Sequence, residues 1–444
     1  MKQSAWRYLW KSQDIRRKLL ITLALLAIYR LASNVPVPGI DRELVAQLTQ
    51  TGGAAGGLIN MLDMLSGGAV SNFSVLAMGV YPYITAQIIL QLLTPIIPAL
   101  ERKMQDNPTE GRAWMEKWTM ILTVPMAALS AVGQINIFNA ILGQSVAAQF
   151  GFSGDVLIPT LATIFSMIAG TMFGVWLGEL ISEFGIRNQG LSLIIFAGIV
   201  SKIPQNIVSL LSNQSYWWLI FIVLALLIVT IFAVVYVQQG RRHVPVMFPG
   251  RRVGSRMSMP VKSTVPLMVN MAGMIPIIFA QSLMTFPTII ASFFSNSQVD
   301  WIRNASAYIQ NLLGGEGVLY PILFFFMVVL FTFFYTDILF AQQNYGENLK
   351  KQGAQIPGVT RGAPTQKYLT KVQRRITLPG AIFLGIVAVL PYVLELFLPE
   401  GISRTSIFLV SSTGLLIVVG VVRDTFQIIE TDLKMHGYDD RLIR

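Results

Sequence analysis

The sequence predicts an all-α integral membrane protein of ten spans, and three observations carry that expectation. Hydrophobic residues make up 53% of the chain and charged residues 12%, whereas a soluble domain carries about 25% charged residues. The apolar residues are gathered into ten runs separated by polar connections. The basic residues are confined almost wholly to alternate connections.

The runs cover residues 19–35, 74–94, 118–138, 157–178, 191–203, 216–238, 267–291, 318–336, 376–398 and 405–422, most of them near the roughly 20 residues a bilayer requires. The first follows a basic arm and could be mistaken for a cleaved signal peptide. It runs into NVPVPG (Asn34 to Gly39) where a small-residue cleavage site would stand, so it is read as a retained span. Arg30, close to its outer end, reads as a snorkelling side chain. The fifth run is cut short by Lys202, which puts Pro204, Gln205 and Asn206 outside the span.

With the N-terminus in the cytoplasm, 28 of the 33 Lys and Arg residues fall in the N-terminal arm, loops 2/3, 4/5, 6/7 and 8/9, and the C-terminal tail. The positive-inside rule therefore places both termini in the cytoplasm, and the net charge of +11 is mostly topology. Ten spans divided five and five give each half an odd number, so the halves enter the membrane from opposite sides. That parity permits an inverted repeat, with residues 1–203 as one half and 204–444 as the other.

Some features break the span pattern. Residues 58–70 are apolar at helical spacing but too short to cross. They form either a re-entrant element lining a wet cavity or an amphipathic helix on the outer surface. Span 2 sets Val80, Ile84 and Ile88 on one face beside a polar stripe of Gln87 and Gln91, span 5 pairs Ile195 with Ile199, and span 7 holds Asn270. Such stripes serve either helix packing or a pore. Loop 6/7, about residues 239–265, carries six basic residues, and loop 8/9, about 337–375, carries seven amid Gly353, Pro357, Gly358, Gly362 and Pro364. Either positive-inside bias or a docking surface accounts for them.

Absences narrow the function. The chain has no Cys, its two His (His243 and His436) lie in polar stretches, and no Asp, Glu or His sits in the middle of an apolar run. No catalytic, metal or cofactor set emerges, so no enzyme is expected. An ion-coupled secondary transporter with a five-plus-five inverted repeat is the competing reading, and the missing midspan carboxylates count against it.

Six stretches carry a resemblance: Tyr29 to Asp41 (YRLASNVPVPGID), Met64 to Ala69 with Met78 to Thr94 (MGVYPYITAQIILQLLT), Gly170 to Ser201, Val269 to Gln281 (VNMAGMIPIIFAQ), Asn348 to Val359 and Gln366 to Ile382. In that order they tile nearly the whole chain, and NMAGMIP with IIFAGI is specific. The sequence resembles the SecY/Sec61-alpha family, the central channel subunits of protein translocases. There are departures: Arg361 lies one place after the family's usual tip arginine, Asp63 replaces an asparagine, and Tyr81 stands where methionine usually precedes Pro82.

The resemblance implies an hourglass pore between two inverted halves, conducting unfolded secretory polypeptides and releasing transmembrane segments sideways. Carried over by position, the pore ring is Val80, Ile84, Ile195, Ile199, Ile278 and Ile417. The plug is about residues 58–71, including Leu58, Met61, Asp63, Met64, Ser66, Gly67 and Gly68. The lateral gate between spans 2 and 7 takes Ile88, Gln91, Asn270, Ser282 and Phe286, and partner docking takes Arg251, Arg252, Lys350, Lys351 and Arg361. The implied partners are the small subunits SecE and SecG, the SecA motor ATPase, the ribosome, signal peptides and nascent chains, and anionic lipids, at a bacterial inner membrane.

Overall fold

A computed structural model describes residues 12–40, 70, 73–94, 96–106, 108–142, 151, 156–211, 217–248, 252–253, 256–257, 261–294, 299–314, 319–395 and 412–435. The helices are α1 (Gln13–Ala32), α2 (Tyr81–Leu93), α3 (Pro98–Asp106), α4 (Pro108–Leu142), α5 (Leu157–Phe184), α6 (Gly190–Leu211), α7 (Trp217–Gln239), α8 (Ile275–Ser292), α9 (Asp300–Leu313), α10 (Leu319–Gln342), α11 (Tyr345–Lys351), α12 (Ala363–Glu395) and α13 (Ser412–Met435). Four strands, β1 (Arg241–Phe248), β2 (Arg252–Val253), β3 (Arg256–Met257) and β4 (Val261–Met268), lie between α7 and α8. Among the described residues, five helical segments are long and apolar enough to cross a bilayer: Thr109–Asn139, Leu157–Phe184, Ile275–Ser292, Leu319–Lys351 and Ala363–Leu390.

Several expected spans have different ends, each for a local reason. The run at 74–94 becomes helix only from Tyr81, where Pro82 occupies the first turn, its usual place. The thirteen residues of α2 rise about 20 Å, short of the roughly 30 Å hydrocarbon core. Their lead-in, residues 73–80, is a chain of turns in which Phe73, Leu76, Ala77, Met78 and Val80 are buried. Irregular backbone inside protein is the kind tolerated at membrane depth. The fifth run does not stop at Lys202: α6 continues through Pro204 to Leu211, because a charge ends an apolar run without ending a hydrogen-bond ladder. In the seventh, β4 and a turn at Gly273 (φ +65°) precede α8, so Asn270 lies before the helix rather than in it.

The chain forms two compact units, one of residues 1–224, 282–321 and 391–444, the other of residues 225–281 and 322–390. In the first, α1 packs on α5 and α6, α5 on α4 and α6, α2 on α4 and α5, and α13 on α6. A core of Val37, Val70, Phe73, Ala77, Met78 and Met167 with the α4 residues Ala127, Ala131, Ile135 and Phe138 fixes the lead-in to α2. Phe73 meets Phe138 edge-on at 5.1 Å between centroids. The NVPVPG stretch pairs with the same lead-in: Val37 N donates to Phe73 O at 3.2 Å and Val75 N to Val35 O at 2.9 Å. Two glycines let backbones close up here, since a Cβ on Gly170 would strike the Val75 carbonyl and one on Gly190 the Gly178 carbonyl.

In the second unit the two long basic loops are folded against each other. β1 and β4 pair antiparallel from Arg241↔Met268 to Phe248↔Val261. Val244 and Val246 alternate inward and join Leu267, Phe340, Leu349, Ala354, Ile356, Leu369 and Ile376 in one apolar core. Met247 and Gln355 exchange backbone hydrogen bonds of 2.8 and 2.9 Å. The Gln373 amide donates to Met268 O at 3.0 Å, and the Gly346 N–H to the Gln366 carboxamide oxygen at 2.7 Å. Residues 363–375, expected as loop, are the first three turns of α12.

Candidate functional site

Five of the six ring candidates lie in the first unit. Val80 caps α2 and Ile84 follows one turn on, Ile195 and Ile199 lie on α6, and Ile417 lies on α13, which packs on α6. Ile278 lies on the part of α8 in the second unit. All but half-buried Ile199 are buried. Val80 Cγ1 sits 3.8 Å from where a Cβ on Gly174 would stand, beside Tyr29 and Leu76. The ring candidates are thus aliphatic groups with no hydrogen-bonding capacity, held on tightly packed helices. The plug candidates Leu58, Met61, Asp63, Met64, Ser66, Gly67 and Gly68 lie outside the described residues, although Val70 just after them is anchored in the core around Phe73.

The gate candidates carry unsatisfied polar atoms. Ile88 is buried, Phe286 half-buried, and among the described residues Gln91 Oε1, Asn270 Oδ1 and Ser282 Oγ lack hydrogen-bond partners. The Asn270 amide donates to Gly273 O at 3.0 Å, within its own turn. A buried acceptor left unpaired costs about 1–3 kcal/mol, so these groups favour any rearrangement that supplies donors or water.

Two connections to α8 escaped the sequence reading. The Tyr81 hydroxyl donates to the Ser282 carbonyl at 3.2 Å, joining the start of α2 to α8. Ser292 Oγ also donates to Gly133 O at 3.3 Å, and a Cβ on Gly133 would collide with Ile289 Cγ2, so α4 and α8 approach closely at that glycine. Gln134, with its Nε2 unpartnered, lines a cavity of about 10 Å³ with Ser130, Tyr81 and Ile289. The departure at Tyr81 was the available signal for the first connection. Nothing in the sequence marked Gly133 as closely packed.

The docking candidates Lys350 and Lys351 are exposed at the end of α11, and Arg361 is exposed in the turn before α12. Among the described residues Lys351 makes only a 3.7 Å ion pair with Glu347, with both side chains largely exposed. Arg252 lies in β2, and Arg251 lies outside the described residues. Arg374, just before the apolar part of α12, donates from Nε to the Asp337 carboxylate at 3.1 Å.

Solved structures with this fold include a protein-conducting channel, with a TM-score of 0.60 and 16% identity, covering 99% of this chain and 100% of that one. Another is Sec61 in a canine ribosome–channel complex from the endoplasmic reticulum, at 0.56 and 16% over 99% and 100%. The chain therefore shares the fold of these structures, and its described part holds five helical segments long and apolar enough to cross a bilayer. A family model for SecY matches residues 74–426. Protein translocase subunit SecY of Streptomyces scabiei is 36% identical over 442 residues, covering 98% of this chain and 99% of the relative. The Escherichia coli K12 subunit is 36% identical over 438 residues, 97% and 94% of the two chains. This chain belongs to the SecY family.

Proposed function

We propose that the chain is the pore subunit of a protein translocase, passing unfolded secretory polypeptides across a bacterial inner membrane and releasing apolar segments sideways into lipid. The observation that carries this reading is the match to protein translocase subunits along almost the whole chain. A charge at the bilayer centre costs about 2.5–3.5 kcal/mol, while an apolar residue returns only about 0.3–0.6, so a polar chain needs a wet path. Val80, Ile84, Ile195, Ile199, Ile278 and Ile417 form the waist of that path, an aliphatic constriction that dewets when empty and gives a sliding chain no strong binding site. Residues 58–71 close it as a plug, and Ile88, Gln91, Asn270, Ser282 and Phe286 line the lateral gate. Residues 1–203 and 204–444 are the inverted halves, with both termini cytoplasmic.

The chain itself is a passive pore and not an enzyme; SecA or the ribosome supplies the driving force, docking on Arg251, Arg252, Lys350, Lys351 and Arg361. SecE and SecG complete the membrane complex. The test of the waist is ion conductance of purified Ile278→Asn, Ile417→Asn and plug-deleted channels in planar bilayers. Well-folded variants with raised resting leakage are expected. Normal folding without added leakage in all three sinks the pore assignment, and poor folding without leakage assigns these residues to helix packing.

A further inference from the structure

Helix α9 presents three different sectors around its axis. At 100° per residue, Ile302, Ser306, Ile309 and Leu313 fall in one sector, and all four are buried or half-buried. Ser306 seats that sector, since its Oγ donates to Ala291 O at 2.6 Å, in the last turn of α8. Asp300, Arg303, Asn304, Ala307 and Asn311 make a second sector, all of them exposed, in which Arg303 pairs with Asp300 at 2.6 Å. Between the two lies a third, with Trp301, Ala305, Tyr308 and Leu312 in line at i, i+4, i+7 and i+11. Trp301 and Tyr308 are 72% and 67% exposed, so the described residues leave both rings uncovered.

Position along the chain decides what covers the third sector. Both α8 and α10 belong to segments long and apolar enough to cross a bilayer, and only residues 293–299 and 314–318 separate α9 from them. The Ser306–Ala291 bond pins the middle of α9 to the end of one such segment, which is the level of a membrane boundary. Exposed apolar surface continues from there, because Phe293, Phe294 and Val299 are exposed as well. Trp and Tyr are enriched at that boundary, where the ring body meets lipid and its polar edge meets water. A helix lying there has protein on one side, water above and lipid below, and α9 has a sector suited to each. Its one charged pair is compensated within the helix, so the fit is to the interface itself and not to lipid of a particular charge.

We infer that α9 lies along the membrane–water interface and anchors the last turn of α8 there, with Trp301, Tyr308 and Leu312 seated in the headgroup–acyl boundary of the bilayer. The inference rests on the proposed orientation only in naming this as the outer leaflet. Because α8 carries Ser282 and Phe286, the anchor fixes one end of a helix that the proposed gate would move.

The chain has no Cys, so each single replacement by Cys carries one spin label at a known place. Ala305→Cys, Leu312→Cys, Ala307→Cys and Asn311→Cys are labelled in the full chain and reconstituted in phosphatidylcholine vesicles. Depth is then read by power saturation against oxygen and a water-soluble nickel chelate. Labels on Ala305→Cys and Leu312→Cys should lie about 5–10 Å below the phosphates, and those on Ala307→Cys and Asn311→Cys in water above them. Trp301→Gln with Tyr308→Gln should take away about half the depth of the Leu312→Cys label, whereas Arg303→Gln should leave it in place. Four labels in water overturn the inference. So do third-sector labels shielded from oxygen and nickel alike, the result expected beneath a second copy or another protein. A depth unchanged in the double Gln variant makes the rings passengers of the packing on α8 and overturns the anchor. Thermal unfolding checks each variant, and Trp301→Gln alone replaces the double variant if that fails to fold. Because depth is read without translocation, failure of the channel reading leaves this result standing, and the reverse holds too.

Discussion

Replacing Tyr81 by Phe removes one hydroxyl and nothing else of the ring that packs between α2 and α8. Of the contacts it deletes, the one to Thr85 lies within α2, and the one that joins α2 to α8, to Ser282 O at 3.2 Å, is at the long end for an O–H donor. Ser282 O lies inside α8 and keeps a helical partner, so no orphaned acceptor adds to the loss. The bond is then worth about 0.5–1 kcal/mol, the lower part of the usual range, or a factor of about 2–5 in an equilibrium that separates the two helices. Opening of the proposed lateral gate would separate them. An apolar residue in a signal sequence contributes about 0.3–0.6 kcal/mol on entering lipid, so the variant should open for signals about one to three leucines less hydrophobic. The assay is translocation of a reporter behind a graded leucine/alanine signal series, with Tyr83→Phe as the control. A threshold unchanged or raised in Tyr81→Phe refutes the assignment of this hydroxyl to the gate.

Asn270→Leu removes the donor to Gly273 and a buried unpaired oxygen together, and should shift the same signal threshold several-fold in equilibrium terms; identical thresholds would take Asn270 out of the gate. Charge reversal at Lys350 with Lys351 should weaken SecA or ribosome docking and slow translocation while insertion stays normal, and Arg361→Glu alone should do less; unchanged affinity at moderate salt rejects the docking role. Lys18 bridges Asp432 at 2.9 Å and Asp14 at 3.1 Å, tying the start of α1 to the end of α13. Asp432→Asn should lower stability by about 1–2 kcal/mol, after discounting for partial exposure, read as a lower unfolding temperature. The Lys18 pKa is raised chiefly by the Asp432 hydrogen bond, against an opposing desolvation. A lysine raised in the folded state contributes fully below its unfolded pKa and fades as pH rises through the folded one. The difference between parent and Asp432→Asn should therefore be flat between about pH 6 and 9 and shrink only above the usual lysine range.

The sequence announced the membrane class and most helix positions because burial in lipid demands long apolar runs, and such runs survive local irregularity. It misplaced the ends where protein packing substitutes for helix. The lead-in to α2 is apolar because it fills the core with Phe138 and Met167, not because it spans, and hydropathy cannot separate the two. The turn signals in loop 8/9 were legible: Gly353, Gly358 and Gly362 all adopt positive φ. What they could not reveal is that Leu349, Ala354 and Ile356 bury against Val244 and Val246, since that pairing joins segments about a hundred residues apart. The same limit hid the contacts of Gly133 with Ile289 and of Tyr81 with Ser282. The ring and gate positions came from resemblance, and the residues alone favoured helix packing.

A pore subunit must let polypeptide pass through it. Proteoliposomes containing it with SecE, SecG and SecA, given ATP and a secretory precursor, test that claim most directly when the precursor's resistance to external protease is followed over time. ATP-dependent protection is expected, disappearing when this chain is omitted and persisting in plug-deleted protein. A precursor that stays fully digestible, with substrate-dependent ion flux through the chain alone in its place, would contradict it.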